Sequence, residues 1–181
     1  MGFRVGIIGP ESTGKSSLAL YLAELFNGTC VPEYARTYVE QLMADRRTDD
    51  WTKVITYDDI CHIARHQIDE IKTLSGEAGL SVKRSFSETV FQAKPVFFDT
   101  ELITTKVWFD YAFHTVPAWL EEAIRQYPMD IYLLTYPDLP WVPDPARSNG
   151  SDAIRMELFE RYEAEIQALN IPYYVIQHNE K

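Results

Sequence analysis

The sequence predicts an α/β fold in which five parallel strands form one sheet with helices on both faces. Short apolar runs that stop at glycine, proline or a carboxylate predict buried strands, and apolar stripes of helical period lie between them. Strands that alternate with helices are typical of a parallel sheet. The chain has 181 residues, of which 46% are hydrophobic, enough for one sizeable core. We therefore expect a single domain over residues 1–181.

The first three elements follow one another closely. Residues 3–8 form an apolar run that stops at Gly9 and predict the first strand. Leu18, Leu22 and Leu25 then mark one face of a helix, which Gly28 ends. Residues 29–31 predict a short second strand. The sequence thus begins with a strand, a glycine-containing turn and a helix, in that order.

The middle of the chain predicts two helices, an irregular stretch and a third strand. Residues 34–44 have a helical pattern, and Thr56 with Asp59 resembles the capping box that begins a helix. Residues 75–94 are polar and without period, so we expect a long loop or insertion there. Residues 95–99 form an apolar run that ends in Asp99, and this run predicts the third strand.

The last part of the chain predicts three helices and two strands around a proline-rich loop. Helical patterns extend to about residue 111 and cover 118–126, and residues 131–134 predict the fourth strand. Residues 137–150 form the proline-rich loop. Ile154, Leu158, Tyr162 and Ile166 stripe a long helix, and residues 173–176 predict the fifth strand.

Residues 9–16 match the pattern G-x-x-x-x-G-K-[ST] of a phosphate-binding loop, or P-loop, between a predicted strand and a predicted helix. In such loops backbone amides and the helix N-terminus face phosphate oxygens. Lys15 is expected to reach the β- and γ-phosphates of ATP, and the Ser16 hydroxyl to bind Mg²⁺. The residues expected to contact the nucleotide are Gly9, Pro10, Glu11, Ser12, Thr13, Gly14, Lys15, Ser16 and Ser17.

Carboxylates follow two of the predicted strands beside this loop. Glu33 follows the second strand, and Asp99 and Glu101 follow the third. Because ligands of an open α/β sheet bind beyond the carboxyl ends of the strands, all three side chains are candidates to face the γ-phosphate. The alternative for Glu33 is a helix cap. His62 and His66 have the spacing of some zinc pairs, but no third ligand is evident, so we expect a solvated or core-edge pair.

The charge and the cysteines limit the partners and the setting. With 27 acidic and 17 basic residues, the formal net charge is −10, which argues against nucleic acid or an anionic membrane as partner and favours a small-molecule substrate. Two distant cysteines and no apolar run of about 20 residues predict a reduced, cytoplasmic protein. No Asn-Lys-x-Asp run is present, so a guanine-specific switch is not expected.

Several motifs together resemble the ribosylnicotinamide kinase domain of NadR-type proteins, in the same order and over nearly the whole chain. They are the P-loop, Glu33-Tyr34-Ala35-Arg36, His66-Gln67, the run from Asp99 to Thr105, and the run from Trp141 to Gly150. The resemblance implies a P-loop kinase fold with five parallel strands. It also implies ATP-dependent phosphorylation of the ribose hydroxyl of nicotinamide riboside, a step of NAD biosynthesis.

The resemblance also assigns roles to residues. Either Glu33 or Asp99 serves as the base that accepts the hydroxyl proton; we favour Glu33 as base and place Asp99, with Ser16, in the Mg²⁺ shell. Arg147 resembles a lid arginine that closes over ATP in the loop 137–150, although it could instead be an exposed loop charge. The residues expected to contact the acceptor are Glu33, Tyr34, Arg36 and Glu101.

The sequence departs from the family at three places and leaves two alternative functions open. Pro32 stands where an aromatic residue is common, Pro145 stands where glycine is common, and the 75–94 insertion has no counterpart. The paired-histidine signature of a nucleotidyltransferase is absent, so adenylyl transfer is not predicted. The alternatives are another metabolite or deoxynucleoside kinase, and a regulatory P-loop ATPase that acts through a protein partner.

Overall fold

The structure is a computed structural model. It describes residues 2–74, 94–144 and 150–178, which form five strands, six α-helices and one 3₁₀ turn. In chain order these elements are β1 (Arg4–Ile8), α1 (Lys15–Leu25), β2 (Thr29–Val31), α2 (Tyr34–Arg46), the 3₁₀ turn (Trp51–Lys53), α3 (Tyr57–Leu74), β3 (Val96–Asp99), α4 (Leu102–Phe113), α5 (Ala118–Gln126), β4 (Ile131–Thr135), α6 (Asp152–Leu169) and β5 (Tyr173–Ile176).

The five strands form one parallel sheet in the order β2-β3-β1-β4-β5. Ile7 of β1 pairs with Asp99 of β3, and Ile8 pairs with Leu134 of β4. The carboxyl ends of β3, β1 and β4 therefore lie side by side at one edge of the sheet. The predicted five-stranded parallel sheet is confirmed, with strand bounds that differ from the sequence prediction by one residue at most.

Helices cover both faces of the sheet, as the sequence predicts. On one face Ala19 and Ala23 of α1 pack against Val5, Ile7 and Phe97. Their small side chains let the helix approach the strands closely. On the other face Ile8, Phe98 and Leu134 belong to the larger core, to which α3, α4, α5 and α6 contribute buried side chains.

Two expected loops lie largely or partly outside the described residues. Of the expected insertion at 75–94, all but Lys94 lies outside them, as do residues 145–149 of the proline-rich loop. Both cysteines, Cys30 and Cys61, are free. Among the described residues, no helix is long and apolar enough to cross a membrane.

The capping box predicted at the start of α3 is present. Asp59 accepts hydrogen bonds from the amide of Thr56 at 2.8 Å and from its hydroxyl at 2.6 Å, and the Asp59 amide donates back to that hydroxyl at 3.2 Å. Tyr38 of α2 also donates its hydroxyl to Asp59, at 2.6 Å. Burial raises the pKa of Asp59, but these hydrogen bonds outweigh burial, and the net pKa lies below its ordinary value.

Replacing Asp59 with alanine should lower the free energy of unfolding by about 1 to 2 kcal/mol at pH 7, because the cap and the partner of Tyr38 are lost. The folded-state pKa lies below the unfolded value of about 3.9, so this contribution is present above pH 3.9 and disappears as the pH falls through the folded-state pKa. Urea unfolding at several pH values measures both effects.

Asp69→Ala is the matched control, because Asp69 lies on the same helix with its side chain 76% exposed. Its effect should stay within about 0.5 kcal/mol. Equal losses for the two variants would contradict a specific role of Asp59.

Candidate active site

The P-loop, residues 9–16, connects β1 to α1 with backbone torsions that favour glycine. Gly9 has φ 147° and Gly14 has φ 79°, both in the left-handed region. A Cβ on Gly9 would also lie 2.7 Å from the carbonyl oxygen of Thr135, at the end of β4. The Thr13 hydroxyl lies 2.6 Å from the Thr135 hydroxyl and donates to the Pro10 carbonyl at 2.8 Å. The loop, which follows β1, therefore packs directly against the end of β4.

Lys15 and Ser16, the first residues of α1, lie beside Asp99. The Lys15 amine donates to the Pro10 carbonyl at 2.7 Å. Burial raises the pKa of Asp99, while the Ser16 hydroxyl, the Lys15 amine and the Arg36 guanidinium lower it, with burial prevailing. Asp99 is only 4% exposed, and its Oδ1 has no hydrogen-bond partner among the described residues. The site thus contains a buried carboxylate oxygen beside a hydroxyl group.

Glu33 occupies the N-cap position of α2, but its side chain makes no capping hydrogen bond. The Glu33 carboxylate therefore lies at the N-terminus of α2, as the helix-cap alternative requires, but it does not cap the helix by a hydrogen bond. Burial raises the pKa of Glu33; Lys15 lowers it, Asp99 raises it, Arg36 lowers it, and the net pKa lies above the ordinary glutamate value. Two carboxylates and two cations thus influence one another at the carboxyl edge of the sheet.

Arg36, on the first turn of α2, pairs with Asp144 of the proline-rich loop and with Glu40 at 3.1 Å. These partners, Asp144 first, raise the pKa of its guanidinium. The Val142 amide also donates to the Ser12 hydroxyl at 3.2 Å. The residues that lead into 145–149 are therefore attached to both the P-loop and α2. Arg147, the predicted lid arginine, lies outside the described residues.

The P-loop, Glu33 and Arg36 line a cavity of about 210 Å³ between the P-loop and α2, α3 and α4, whereas Asp99 is not part of its wall. The P-loop part of the wall includes Lys15 and Ser16, with Glu33 and Arg36 also in the wall. The remaining wall is largely apolar. It includes Val39, Trp51, Ile55, Ile60, Ile63 and Trp108. A ligand in this cavity can therefore contact phosphate-binding groups and an apolar surface at once.

The apolar wall also includes polar groups. The Thr105 hydroxyl donates to Gln67 Oε1 at 2.7 Å, which leaves the Gln67 amide NH₂ for a ligand. The Trp51 Nε1–H and the Thr104 hydroxyl are buried without a hydrogen-bond partner among the described residues. Trp51 packs edge to face with Trp108, with ring centroids 5.3 Å apart. Gln67 and Trp51 offer hydrogen-bond donors, and the Thr104 hydroxyl can either donate or accept.

Tyr34 and Glu101, two residues expected to contact the acceptor, do not line this cavity. The Tyr34 ring stacks on His66, with centroids 3.5 Å apart, and its hydroxyl bonds His62 Nε2 at 2.9 Å. Both histidines therefore contact Tyr34. Glu101 is 3% exposed and caps α4 by accepting the Ile103 amide hydrogen at 3.0 Å. Residue 100 has φ 66°, so the chain turns sharply between the two carboxylates.

Sequence reasoning missed Thr135, Gln67 and Trp51 as site residues. Thr135 follows from the same rule that found Glu33 and Asp99, since it ends a strand next to β1. In the sequence, Gln67 belongs only to the His66-Gln67 motif. The helical period of α3 could have identified it, because Gln67 lies on the same buried face as Ile60 and Ile63. Trp51 lies in an isolated 3₁₀ turn and had no such signal.

Comparisons with known proteins agree with this fold. Residues 4–181 match a family described as an AAA domain. Among solved structures, a NadR protein in complex with NR is similar with a TM-score of 0.67 and 21% identity. That match covers 96% of this chain and 43% of the other, so the chain spans less than half of that protein.

Two kinases also share the fold. A deoxyadenosine kinase from M. mycoides has a TM-score of 0.55 and 15% identity, and the match covers 96% of this chain and 90% of the kinase. A thymidylate kinase from Ehrlichia chaffeensis has a TM-score of 0.57 and 13% identity, over 99% of this chain and 89% of the kinase. The predicted P-loop fold of nucleoside and nucleotide kinases is therefore confirmed.

The buried Glu101 carboxyl should make the stability of the protein depend on pH. Burial raises its pKa to about 8. As the pH rises from about 4.3, the unfolded chain ionises this group while the folded protein keeps it neutral, so stability falls by up to about 1.4 kcal/mol per pH unit until about pH 8. Glu101→Gln, which keeps an oxygen for the Ile103 amide, should flatten this dependence.

Urea unfolding between pH 5 and 8 measures this slope. The control is Glu24→Gln, on the exposed side of α1, which should keep the slope of the unchanged protein. Parallel curves for Glu101→Gln and the unchanged protein would show that Glu101 is not held neutral.

Proposed function

The chain belongs to the AAA domain family, and on that premise we propose that it is an ATP-dependent kinase that phosphorylates a hydroxyl group of a small nucleoside. The observation that carries the proposal is the single cavity whose wall contains the P-loop, Glu33, Arg36 and an apolar surface. Nicotinamide riboside is the acceptor we propose first. Its support is the motif set in the sequence and the similarity to a NadR protein in complex with NR.

ATP would bind with its phosphates against residues 9–16. The amides of the loop and the N-terminus of α1 supply partial positive charge there, and Lys15 adds a full charge. An incoming phosphate would compete with the Pro10 carbonyl for the Lys15 amine. This local concentration of donors explains how a chain with a net charge of −10 can bind a polyanion.

Ser16 and Asp99 would hold Mg²⁺. The buried Asp99 oxygen that lacks a hydrogen-bond partner, beside a hydroxyl group, fits a cation that prefers oxygen ligands. The described residues contain no cluster of three or more side chains that could hold a metal by themselves. This agrees with Mg²⁺, which is commonly held by one or two carboxylates together with substrate phosphates. When bound, it would neutralise charge on the phosphate oxygens.

Glu33 would act as the base. The acceptor oxygen attacks the γ-phosphorus, the bond from that phosphorus to the bridging oxygen breaks, ADP leaves, and the hydroxyl proton moves to Glu33. A raised pKa makes this carboxylate a stronger base than an ordinary glutamate while leaving it ionised at higher pH. Arg36, also in the wall, would balance negative charge next to Glu33. The role of Arg147 stays a prediction.

The apolar wall would bind the ring of the acceptor. Trp51 and Trp108 provide an aromatic surface, and the negative faces of such rings also favour a cationic ring. The Gln67 amide NH₂ and the Trp51 N–H are donors, so they fit a ring substituent with an acceptor oxygen, such as a carboxamide or oxo group. A ring that presents only an exocyclic amine would leave these donors unpaired.

The direct test is incubation of the purified protein with ATP, Mg²⁺ and a nucleoside panel, followed by mass spectrometry for a gain of one phosphate. The panel contains nicotinamide riboside, uridine, adenosine, cytidine, deoxyadenosine and thymidine. Nicotinamide riboside should be phosphorylated fastest. Lys15→Ala should reduce turnover at least about 100-fold, because a donor to the transferring phosphate is lost. The exposed-lysine variant Lys53→Ala should retain full turnover.

The outcomes separate the alternatives. Phosphorylation of deoxynucleosides but not of nicotinamide riboside would keep the kinase and overturn the preferred acceptor. No product from any nucleoside, together with ATP hydrolysis stimulated by a protein partner, would favour the regulatory ATPase. Full turnover by Lys15→Ala would overturn the assignment of the P-loop.

Glu33→Gln and Asp99→Asn should distinguish the base from the metal ligand. Glu33→Gln should reduce kcat by on the order of 10²–10⁴-fold at unchanged Mg²⁺ dependence, because it removes only proton transfer. Asp99→Asn should raise the Mg²⁺ concentration needed for half-maximal rate. Rates measured against Mg²⁺ concentration, with Asp69→Asn as the exposed control, test this division.

The pH profile provides a second readout of Glu33. The base must be ionised, so kcat/KM should fall as the pH decreases through a pKa above the ordinary glutamate value of about 4.3. Glu33→Gln should lose this acidic limb. A Mg²⁺ dependence altered in Glu33→Gln but not in Asp99→Asn would reverse the two roles.

A further inference from the structure

Arg155, on the first turn of α6, is a buried arginine that neither the motifs nor the proposed chemistry uses. It is only 1% exposed. Its Nε donates to the carbonyl of Glu11 at 3.2 Å, and its Nη2 donates to the carbonyls of Ser12 at 3.4 Å and Leu139 at 2.9 Å. Two of these three acceptors belong to the P-loop. The guanidinium therefore contacts the backbone of the loop rather than its side chains.

These bonds fix the direction of the loop amides. In a trans peptide the N–H points opposite to the C=O, so the Glu11 carbonyl sets the direction of the Ser12 N–H, and the Ser12 carbonyl sets that of the Thr13 N–H. Holding both carbonyls toward Arg155 turns both amides away from it. Ser12 and Thr13 line the cavity, whereas Arg155 does not. The amides are thereby directed to the side on which a phosphate would bind.

The same guanidinium connects the loop to the chain after β4. Its Nη2 is shared between Ser12 of the P-loop and Leu139, at the start of the segment 139–144. Val142 and Asp144 attach this segment at two further points, to the Ser12 hydroxyl and to Arg36. The P-loop and the segment 139–144 consequently share Arg155 as a common support.

The ion pair of Arg155 does not explain its burial. Its carboxylate partner among residues 2–74, 94–144 and 150–178 is Asp152, at 3.4 Å, and the Asp152 side chain is 93% exposed. Such an exposed partner contributes little, whereas a buried guanidinium requires hydrogen-bond acceptors for its donors. The backbone carbonyls meet that requirement. A neutral side chain at this position would remove these hydrogen bonds.

From this geometry we propose that Arg155 is a positioning residue that directs the P-loop amides toward the phosphates and ties the loop to the segment 139–144. The proposal rests on the proposed function only in taking ATP as the ligand of the loop. It does not require that phosphoryl transfer occurs.

The test compares Arg155→Met, which removes every donor but keeps much of the bulk, with Arg155→Lys, which keeps the charge and some of the donors. The control is Arg161→Met, because Arg161 lies on the same helix and pairs at the surface with Asp110 at 2.6 Å and Glu157 at 2.8 Å. Calorimetric titration of the full chain with ATP and Mg²⁺ gives Kd, steady-state rates give KM for each substrate, and thermal unfolding gives Tm.

Arg155→Met should raise the Kd for ATP at least about tenfold, which corresponds to about 1.4 kcal/mol, while the KM for the acceptor changes less than about twofold. Arg155→Lys should fall between this variant and the unchanged protein, and Arg161→Met should bind ATP as the unchanged protein does. If Arg155→Met does not fold, the lysine variant decides, with an expected increase of about threefold or more in Kd.

An unchanged ATP Kd in a folded Arg155 variant, with only Tm lowered, would overturn the proposal, because it would show a purely structural role. A parallel rise of the ATP Kd and the acceptor KM would also overturn it. ATP binding that weakens in Arg155→Met, in a protein that phosphorylates none of the nucleosides, would support the proposal while the proposed kinase activity fails.

Discussion

The P-loop can direct its amides at a phosphate only if its backbone turns in the left-handed region and lies close against the neighbouring strand. Gly9 makes that close approach to Thr135 at the end of β4, and the Thr13 hydroxyl meets the Thr135 hydroxyl at 2.6 Å. The loop is therefore held against the end of β4 by direct contacts. Everything else in the site is positioned relative to this junction.

The order of the strands then decides which side chains meet the loop. Strand β1 lies between β3 and β4. Asp99, at the end of β3, and Thr135, at the end of β4, therefore lie on opposite sides of the P-loop. Glu33 lies between β2 and the start of α2, and β2 is one strand further from the P-loop than β3 is. The Glu33 carboxylate, whose pKa is raised, therefore lies in the cavity wall beside the apolar surface, and the Asp99 carboxylate is buried next to Ser16.

The hydrophobic pattern predicts the sheet and most helix bounds correctly because burial of one helix face or one strand imposes a period on the sequence. The pattern is less reliable where a polar residue takes a core position. The apolar stripe predicted for α6 begins at Ile154, yet Arg155 is buried and Ile154 is only partly buried. Similarly, Glu101 follows the end of a strand, where site residues are expected, but it caps α4 instead of lining the cavity. Local spacing does not specify which hydrogen-bond partner a polar side chain will find.

Local sequence patterns are enough to predict the five-stranded parallel sheet, the P-loop between β1 and α1, and the strand-end positions of Glu33 and Asp99, because each depends on residues close together in the chain. Three further features follow from the fold alone: Trp51 and Gln67 share a cavity with Lys15, Tyr34 stacks on His66, and Arg155 reaches the loop carbonyls. These contacts join residues from different helices, and their geometry is set by how those helices pack on the sheet. No local pattern in the chain encodes that packing.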